Sequence, residues 1–142
     1  VKIETAVQEQ ILVYAREAMA ADDTREAVGA LVAYYDRRDH IIGAWPLTNI
    51  SDHPHARYEV DDEALLDLHR EAYRDGLRVV GYWHSHLRGG AEPSDGDIRL
   101  APPEPDLCMI VAMRPPDHSG PQVKLWRMRP GARPLEVRIE WV

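Results

Sequence analysis

Residues 27–35, Ala27-Val28-Gly29-Ala30-Leu31-Val32-Ala33-Tyr34-Tyr35, form an uncharged apolar run. Such a run suits a strand buried on both faces, so the rest of the chain has to supply its cover. Residues 5–21 read as a helix, with Thr5 as its cap and Gln8 at the capping-box position. Val7, Ile11, Ala15 and Ala18 follow at helical spacing. A second helix reads from about Asp62 to Asp75. Asp61 caps it, Asp62 and Glu63 suit the positive end of its dipole, and Gly76 ends it. The polar 36–39 stretch turns the chain into a strand at about 40–47, and a short strand fits Tyr58–Val60. Further strands read at 77–84, 107–113, 122–128 and 135–141, with a short helix beginning at Ser94. Helix, strands, helix, strands is the order of an α+β sheet domain with mostly hairpin connections. Repeated βαβ units, a Gly-rich phosphate loop and internal repeats are all absent from the sequence.

The length of 142 residues fits one domain, 1–142, large enough to bury a core without disulfide staples. Cys108 is the one cysteine, which excludes an intrachain disulfide and a multi-cysteine metal site and suits a reducing compartment. The net charge is −7 and the arginines are interleaved with acids, so no basic stripe for nucleic acid exists. No apolar run approaches the roughly 20 residues of a membrane span, and the start lacks a signal-peptide pattern. These features lead us to expect a soluble, cytoplasmic protein.

The chemistry concentrates in His84-Ser85-His86-Leu87-Arg88-Gly89-Gly90-Ala91-Glu92-Pro93-Ser94-Asp95-Gly96-Asp97. In extended chain, residues two apart point the same way, so His84 and His86 at a strand end aim at one point. The Gly- and Pro-rich loop lets the chain fold back and bring Asp97 to that point. Two histidines and a carboxylate leave a fourth tetrahedral position for water, as catalytic zinc requires. Ser94-x-x-Asp97 is also a capping-box pattern, with Ser94 as cap and Asp97 three residues on. Ser94 can accept in the cap and donate elsewhere, whereas Asp97 is harder to share. Other hydrolase patterns fit poorly. There is no His-Glu-x-x-His, and Arg88 and Gly89 stand where a His-x-His-x-Asp-His site needs Asp and His. A zinc deaminase needs Cys-x-x-Cys, and Cys108 lies within the apolar Leu107–Met113 strand, where thiols are usually inert.

His84-x-His86, Ser94 and Asp97 resemble the His-x-His…Ser-x-x-Asp signature of the JAMM (MPN+) metalloproteases, with the family's spacing between the second histidine and the aspartate. Glu26-Ala27-Val28-Gly29 resembles that family's upstream glutamate, which precedes an apolar strand. The resemblance covers nearly the whole chain. It implies a compact α+β domain with a mostly antiparallel curved β-sheet flanked by helices, of cytidine-deaminase-like fold. It implies one zinc ion held by His84, His86 and Asp97. Glu26 would act as general base and then acid, and Ser94 would donate to the oxyanion. Leu87 stands where the family usually has proline, which leaves the following loop less stiff.

The chain is similar to the short prokaryotic branch. That implies hydrolysis of an amide bond at the C-terminal Gly-Gly tail of a ubiquitin-like or sulfur-carrier protein. Two other readings stand beside it: a non-catalytic zinc-binding scaffold, and a zinc amidohydrolase of a small metabolite. A scaffold has no need of Glu26 or Ser94. The oligomeric state stays open, a homodimer included. His40, His53, His55, His69 and His118 carry no partner pattern and read as surface residues. Trp83 should point into the core, opposite His84. Asn49–His55 either borders the groove or is an ordinary loop.

Overall fold

The computed structural model describes residues 1–53 and 57–142. Its elements are β1 (Lys2–Ile3), α1 (Thr5–Ala21), β2 (Val28–Tyr34), β3 (His40–Leu47), α2 (Asp62–Arg74), β4 (Leu77–His86), α3 (Asp95–Leu100), β5 (Leu107–Ala112), β6 (Gln122–Arg127), β7 (Leu135–Val137) and β8 (Glu140–Trp141). The strands form one eight-stranded sheet in the order β7-β6-β5-β4-β2-β3-β1-β8. The chain is an α+β protein whose longest ladders are mostly antiparallel. β2 pairs antiparallel with both β3 and β4, and β5 with β6, while β4 and β5 run parallel.

The apolar run lies between its two covers. Leu31 and Ala33 face α1, where Val7, Ile11 and Ala15 meet Ile41, Trp83, Met109 and Leu125. Ala30 and Val32 face the other way, onto Leu68 and Ala72 of α2. Each fully buried side chain of the size of Ile11 or Leu31 contributes roughly 2 kcal/mol. Tyr34 and Tyr35 end the run and are exposed, because the chain is already turning toward β3 there. Gly29 is set by close approach: a Cβ there would collide with the Trp45 carbonyl and the Trp83 indole.

Several local expectations differ from the structure. Glu4, not Thr5, is the N-cap of α1, and it makes no side-chain cap bond. Thr5 Oγ1 instead donates to the Val142 carbonyl at 3.1 Å, tying the helix start to the last strand. No strand forms at 58–60; Glu59 N–H donates to the Asn49 side chain, and its carbonyl takes the Ile50 N–H. The expected strand at 135–141 divides in two. β7 pairs with β6 at one edge of the sheet, and β8 pairs with β1 at the other. Residues 138–139 alone join them, so the sheet curls until one segment closes both edges. The connections also include a crossover, since the parallel pair β4/β5 cannot be joined by a tight turn. α3 and its loops make that crossover above the C-terminal end of β4. Asp61 caps α2 through the Ala64 N–H at 2.9 Å, and Gly76 follows that helix at φ 73°, both as the sequence implies.

Candidate metal centre

Strand alternation puts His84 and His86 on the same face of β4, at its C-terminal end, opposite Ile110 and Ala112 of β5. Trp83 points the other way, fully buried and stacked on Tyr14. The two imidazole Nε2 atoms stand 3.2 Å apart. Asp97 Oδ2 lies 2.9 Å from His86 Nε2 and 3.2 Å from His84 Nε2. Ligands at about 2.0–2.1 Å around a tetrahedral zinc stand roughly 3.3 Å apart, so this triangle has the size of one face of such a tetrahedron.

The donor chemistry fits a cation as well as the distances do. His86 Nδ1 is 2.9 Å from the Gly90 carbonyl, which can only accept, so Nδ1 carries the proton. In the neutral ring the Nε2 lone pair then faces the Asp97 carboxylate. Two lone pairs and a negative charge converging on one point call for a positive charge between them. Burial pulls the His86 pKa down, but its bonds to Asp97 and Gly90 outweigh this and hold it above its ordinary value. Burial pushes the Asp97 carboxyl up, yet its contacts with the His84 and His86 rings and with the Ser94 N–H hold it well below the usual carboxylate range.

Asp97 makes both sets of contacts. Its Oδ2 accepts the Ser94 N–H at 2.9 Å, while Ser94 Oγ accepts the Asp97 N–H at 3.0 Å. This capping box starts α3 and aims the same oxygen at both imidazoles. The Ser94 hydroxyl hydrogen stays available, because Oγ is the acceptor in the cap.

Glu26 reaches the site through a pair of bonds between the approach to β2 and β4. Ala27 N–H donates to Ser85 Oγ at 2.8 Å, and Ser85 N–H donates to the Ala27 carbonyl at 3.0 Å. Glu26 is 5% exposed, and its Oε2 has no hydrogen-bond partner among the described residues. Burial is the main reason its carboxyl is pushed up to about 7. Glu26, His86, Arg88 and Ser94 line one cleft of about 670 Å³. The structure thus brings together all five residues singled out in the sequence.

Two further neighbours, both beside His84, carry no site signal in the sequence. The Tyr58 ring lies 4.8 Å from the His84 ring, centroid to centroid. Cys108 Sγ is 3.9 Å from His84 Nδ1, and burial pushes its thiol up, in keeping with an inert thiol. Asn49 is buried behind Glu26, donating to the Glu26 carbonyl at 3.0 Å and accepting the Ser51 and Glu59 N–H groups. The first residue of the Asn49–His55 segment therefore supports the site, while His55 lies outside the described residues. His53 and His118 are exposed. His40 and His69 are half-buried instead, with His40 near Glu4 at 3.4 Å and His69 3.2 Å from the Tyr82 hydroxyl. Leu87 is buried, and the loop after it is held by packing and by the Gly90 carbonyl, an anchorage different from the one proline gives.

Residues 5–129 match the family described as prokaryotic homologs of the JAB domain. The chain belongs to this family. A prokaryotic JAB-family relative from Haloferax volcanii, named desampylase, is 32% identical over 94 residues, covering 66% of this chain and 67% of the relative. A second, from Thermus thermophilus, is named a probable TtuB-protein conjugate cleaving protease. It is 35% identical over 77 residues, covering 54% of this chain and about half, 52%, of its own length. A solved structure from Desulfitobacterium hafniense has a TM-score of 0.81 and 25% identity, over 99% of this chain and 92% of its own. A JAB1/MPN domain protein from Archaeoglobus fulgidus shares the fold at a TM-score of 0.59 and 21% identity, over 100% and 99% of the two chains.

Proposed function

We propose that the chain is a zinc-dependent peptidase or isopeptidase. Its substrate would be an amide bond at the C-terminal Gly-Gly tail of a ubiquitin-like or sulfur-carrier protein. The observation that carries the reading is the buried Glu26 Oε2, without a hydrogen-bond partner among the described residues, in the same cleft as His86 and Ser94. A metal scaffold needs three ligands; a carboxylate kept free beside them is what a hydrolase needs. The names of the two relatives, a desampylase and a conjugate-cleaving protease, support the same substrate class.

His84, His86 and Asp97 would hold the zinc, which lowers the pKa of a bound water toward neutrality and polarises the substrate carbonyl. The chain's own residues do the rest. Glu26 accepts the proton of the attacking water, and its raised pKa lets it hold that proton near neutral pH. It then delivers the proton to the leaving nitrogen. Ser94 donates its hydroxyl hydrogen to the oxygen on which negative charge grows. Gly90 keeps His86 in the tautomer that offers Nε2.

The test compares the wild type with Glu26→Gln on ubiquitin-like fusions carrying a residue after Gly-Gly, with zinc content measured in both. The expected result is equal zinc and cleavage by the wild type alone. Equal inactivity with zinc bound sinks the enzyme reading in favour of a scaffold. Cleavage of a small amide but of no Gly-Gly-tailed protein points to a metabolite amidohydrolase.

A further inference from the structure

The mechanism above leaves one cation in the cleft without a task. Arg88 lines it together with Glu26, His86 and Ser94, on the loop between β4 and α3. Among the described residues Arg88 is exposed and forms no ion pair. Its cationic neighbours around the site are engaged. Arg25 donates to the Asn49 carbonyl at 2.7 Å, and Lys124 is paired with Glu92 at 2.7 Å. The backbone on either side of Arg88 is fixed. Leu87 is buried, and the Gly90 carbonyl takes the His86 Nδ1 proton. Gly89, at φ 84°, supplies the left-handed turn between these anchors. The guanidinium thus extends from a set point into a cleft that also holds the carboxyls of Asp23 and Glu26, and among the described residues it pairs with neither.

The side of the cleft decides what it meets. Glu26 has to reach the leaving nitrogen, so the space around Glu26 holds the amine half of the substrate. Arg88 lines that same space around Glu26, and the other charged loop of this cleft carries the exposed Asp23. A planar guanidinium forms two parallel hydrogen bonds with a carboxylate. In a chain of net charge −7 an anionic substrate is otherwise repelled, so a lone cation at the cleft has a large effect on which leaving group is accepted.

We propose that Arg88 is a specificity residue that binds a carboxylate on the leaving side, within one residue of the scissile bond. The matching substrate is a linear extension after Gly-Gly whose first residue carries a free α-carboxylate or an acidic side chain. A neutral amide or a lysine side-chain linkage is the poorer one. This rests on the peptidase reading.

Three labelled peptides test it: one ending in Gly-Gly-Ala with a free carboxylate, its C-terminal amide, and Gly-Gly-Asp as the C-terminal amide. The free acid is expected to exceed the Ala amide about tenfold in kcat/KM, as one charge-assisted pair suggests. Arg88→Ala should bring that ratio close to one, chiefly through KM, and Arg88→Glu should invert it. The Asp amide tells a side-chain carboxylate from an α-carboxylate. An equal ratio in the wild type and Arg88→Ala overturns the proposal. Binding of the same peptides to the zinc-loaded Glu26→Gln protein, read by fluorescence anisotropy, separates the two readings. Preference for the acid that Arg88→Ala abolishes, without cleavage by the wild type, upholds Arg88 and removes the peptidase function. No preference, including no binding of either peptide, overturns the role of Arg88.

Discussion

Ser94 and Asp97 hold each other: the Ser94 N–H donates to Asp97 Oδ2 at 2.9 Å, and the Asp97 N–H donates to Ser94 Oγ at 3.0 Å. One reciprocal pair therefore starts α3, orients the Asp97 oxygen toward both imidazoles and leaves a hydroxyl hydrogen free. Stability and rate should separate when Ser94 is changed. Ser94→Ala should cost about 1 kcal/mol of stability through the lost cap. It should also cost about 100- to 1,000-fold in kcat through the lost donor. Ser94→Asp keeps a capping acceptor but has no hydrogen to donate, so it should recover the stability and not the rate. Urea denaturation beside steady-state kinetics checks both; a Ser94→Asp variant with wild-type kcat contradicts the assignment.

Metal removal should be felt as a loss of stability, not only of activity. The triangle of His84 Nε2, His86 Nε2 and Asp97 Oδ2 leaves lone pairs facing one another without a cation. Zinc at 100 times its dissociation constant should add about 2.7 kcal/mol. His86→Ala should abolish that increment, and it is the cleaner test because His84 is fully buried and its loss would also open a cavity. Thermal melts with zinc and with a chelator measure the increment; the same zinc-induced rise in Tm in His86→Ala contradicts this ligand set.

How far the sequence carried the fold and the site follows from what is local. His84 and His86 are legible because strand alternation alone aligns them. The α2 cap and stop at Asp61 and Gly76 are legible for the same reason. Glu26 carries no local signal, and only its placement in a family pattern singles it out. Tyr58 escapes because it lies on irregular chain, and the Asn49–His55 segment is left open between groove and loop, since the contacts of Tyr58 with His84 and of Asn49 with Glu26 depend on where other elements put them. The division of 135–141 into β7 and β8 escapes likewise, since each half takes its partner from an opposite edge of the sheet. Asp97 shows a limit of motif reasoning. Cap and ligand look exclusive on paper, yet the oxygen that accepts the Ser94 N–H also lies 2.9 Å from His86 Nε2.

Burial of Glu26 should make the metal-free protein pH-sensitive in a defined direction. Its carboxyl is raised from 4.5 to about 7, so the folded state binds the proton more tightly than the unfolded state does. The stability linked to that proton is fully present below pH 4.5 and is lost as pH rises through about 7. Glu26→Gln cannot ionise. Relative to wild type it should gain little at pH 4 and up to about 3 kcal/mol at pH 8. Urea titrations of both proteins with chelator present, at pH 4, 6 and 8, measure the difference. A gap that stays constant with pH rules out a raised Glu26.

Asn49 should act on catalysis without touching the reacting atoms. Its Nδ2 donates to the Glu26 carbonyl at 3.0 Å, and its Oδ1 accepts the N–H groups of Ser51 and Glu59 at 3.0 and 3.1 Å. Three segments of chain are thereby tied behind Glu26 by one side chain that is 5% exposed. Asn49→Ala leaves those buried groups unsatisfied, which should cost about 2–3 kcal/mol. Glu26 would lose its fixed backbone, and misplacement of a catalytic group by about 1 Å costs on the order of 100-fold in rate. The fall should appear in kcat more than in KM, since Asn49 supports the base and not the substrate. Asn49→Asp keeps the acceptor but loses the donor to Glu26. It should hold Ser51 and Glu59 in place, restore part of the stability and still be slow. Wild-type kcat in Asn49→Asp would show that the bond to the Glu26 carbonyl does not position the base.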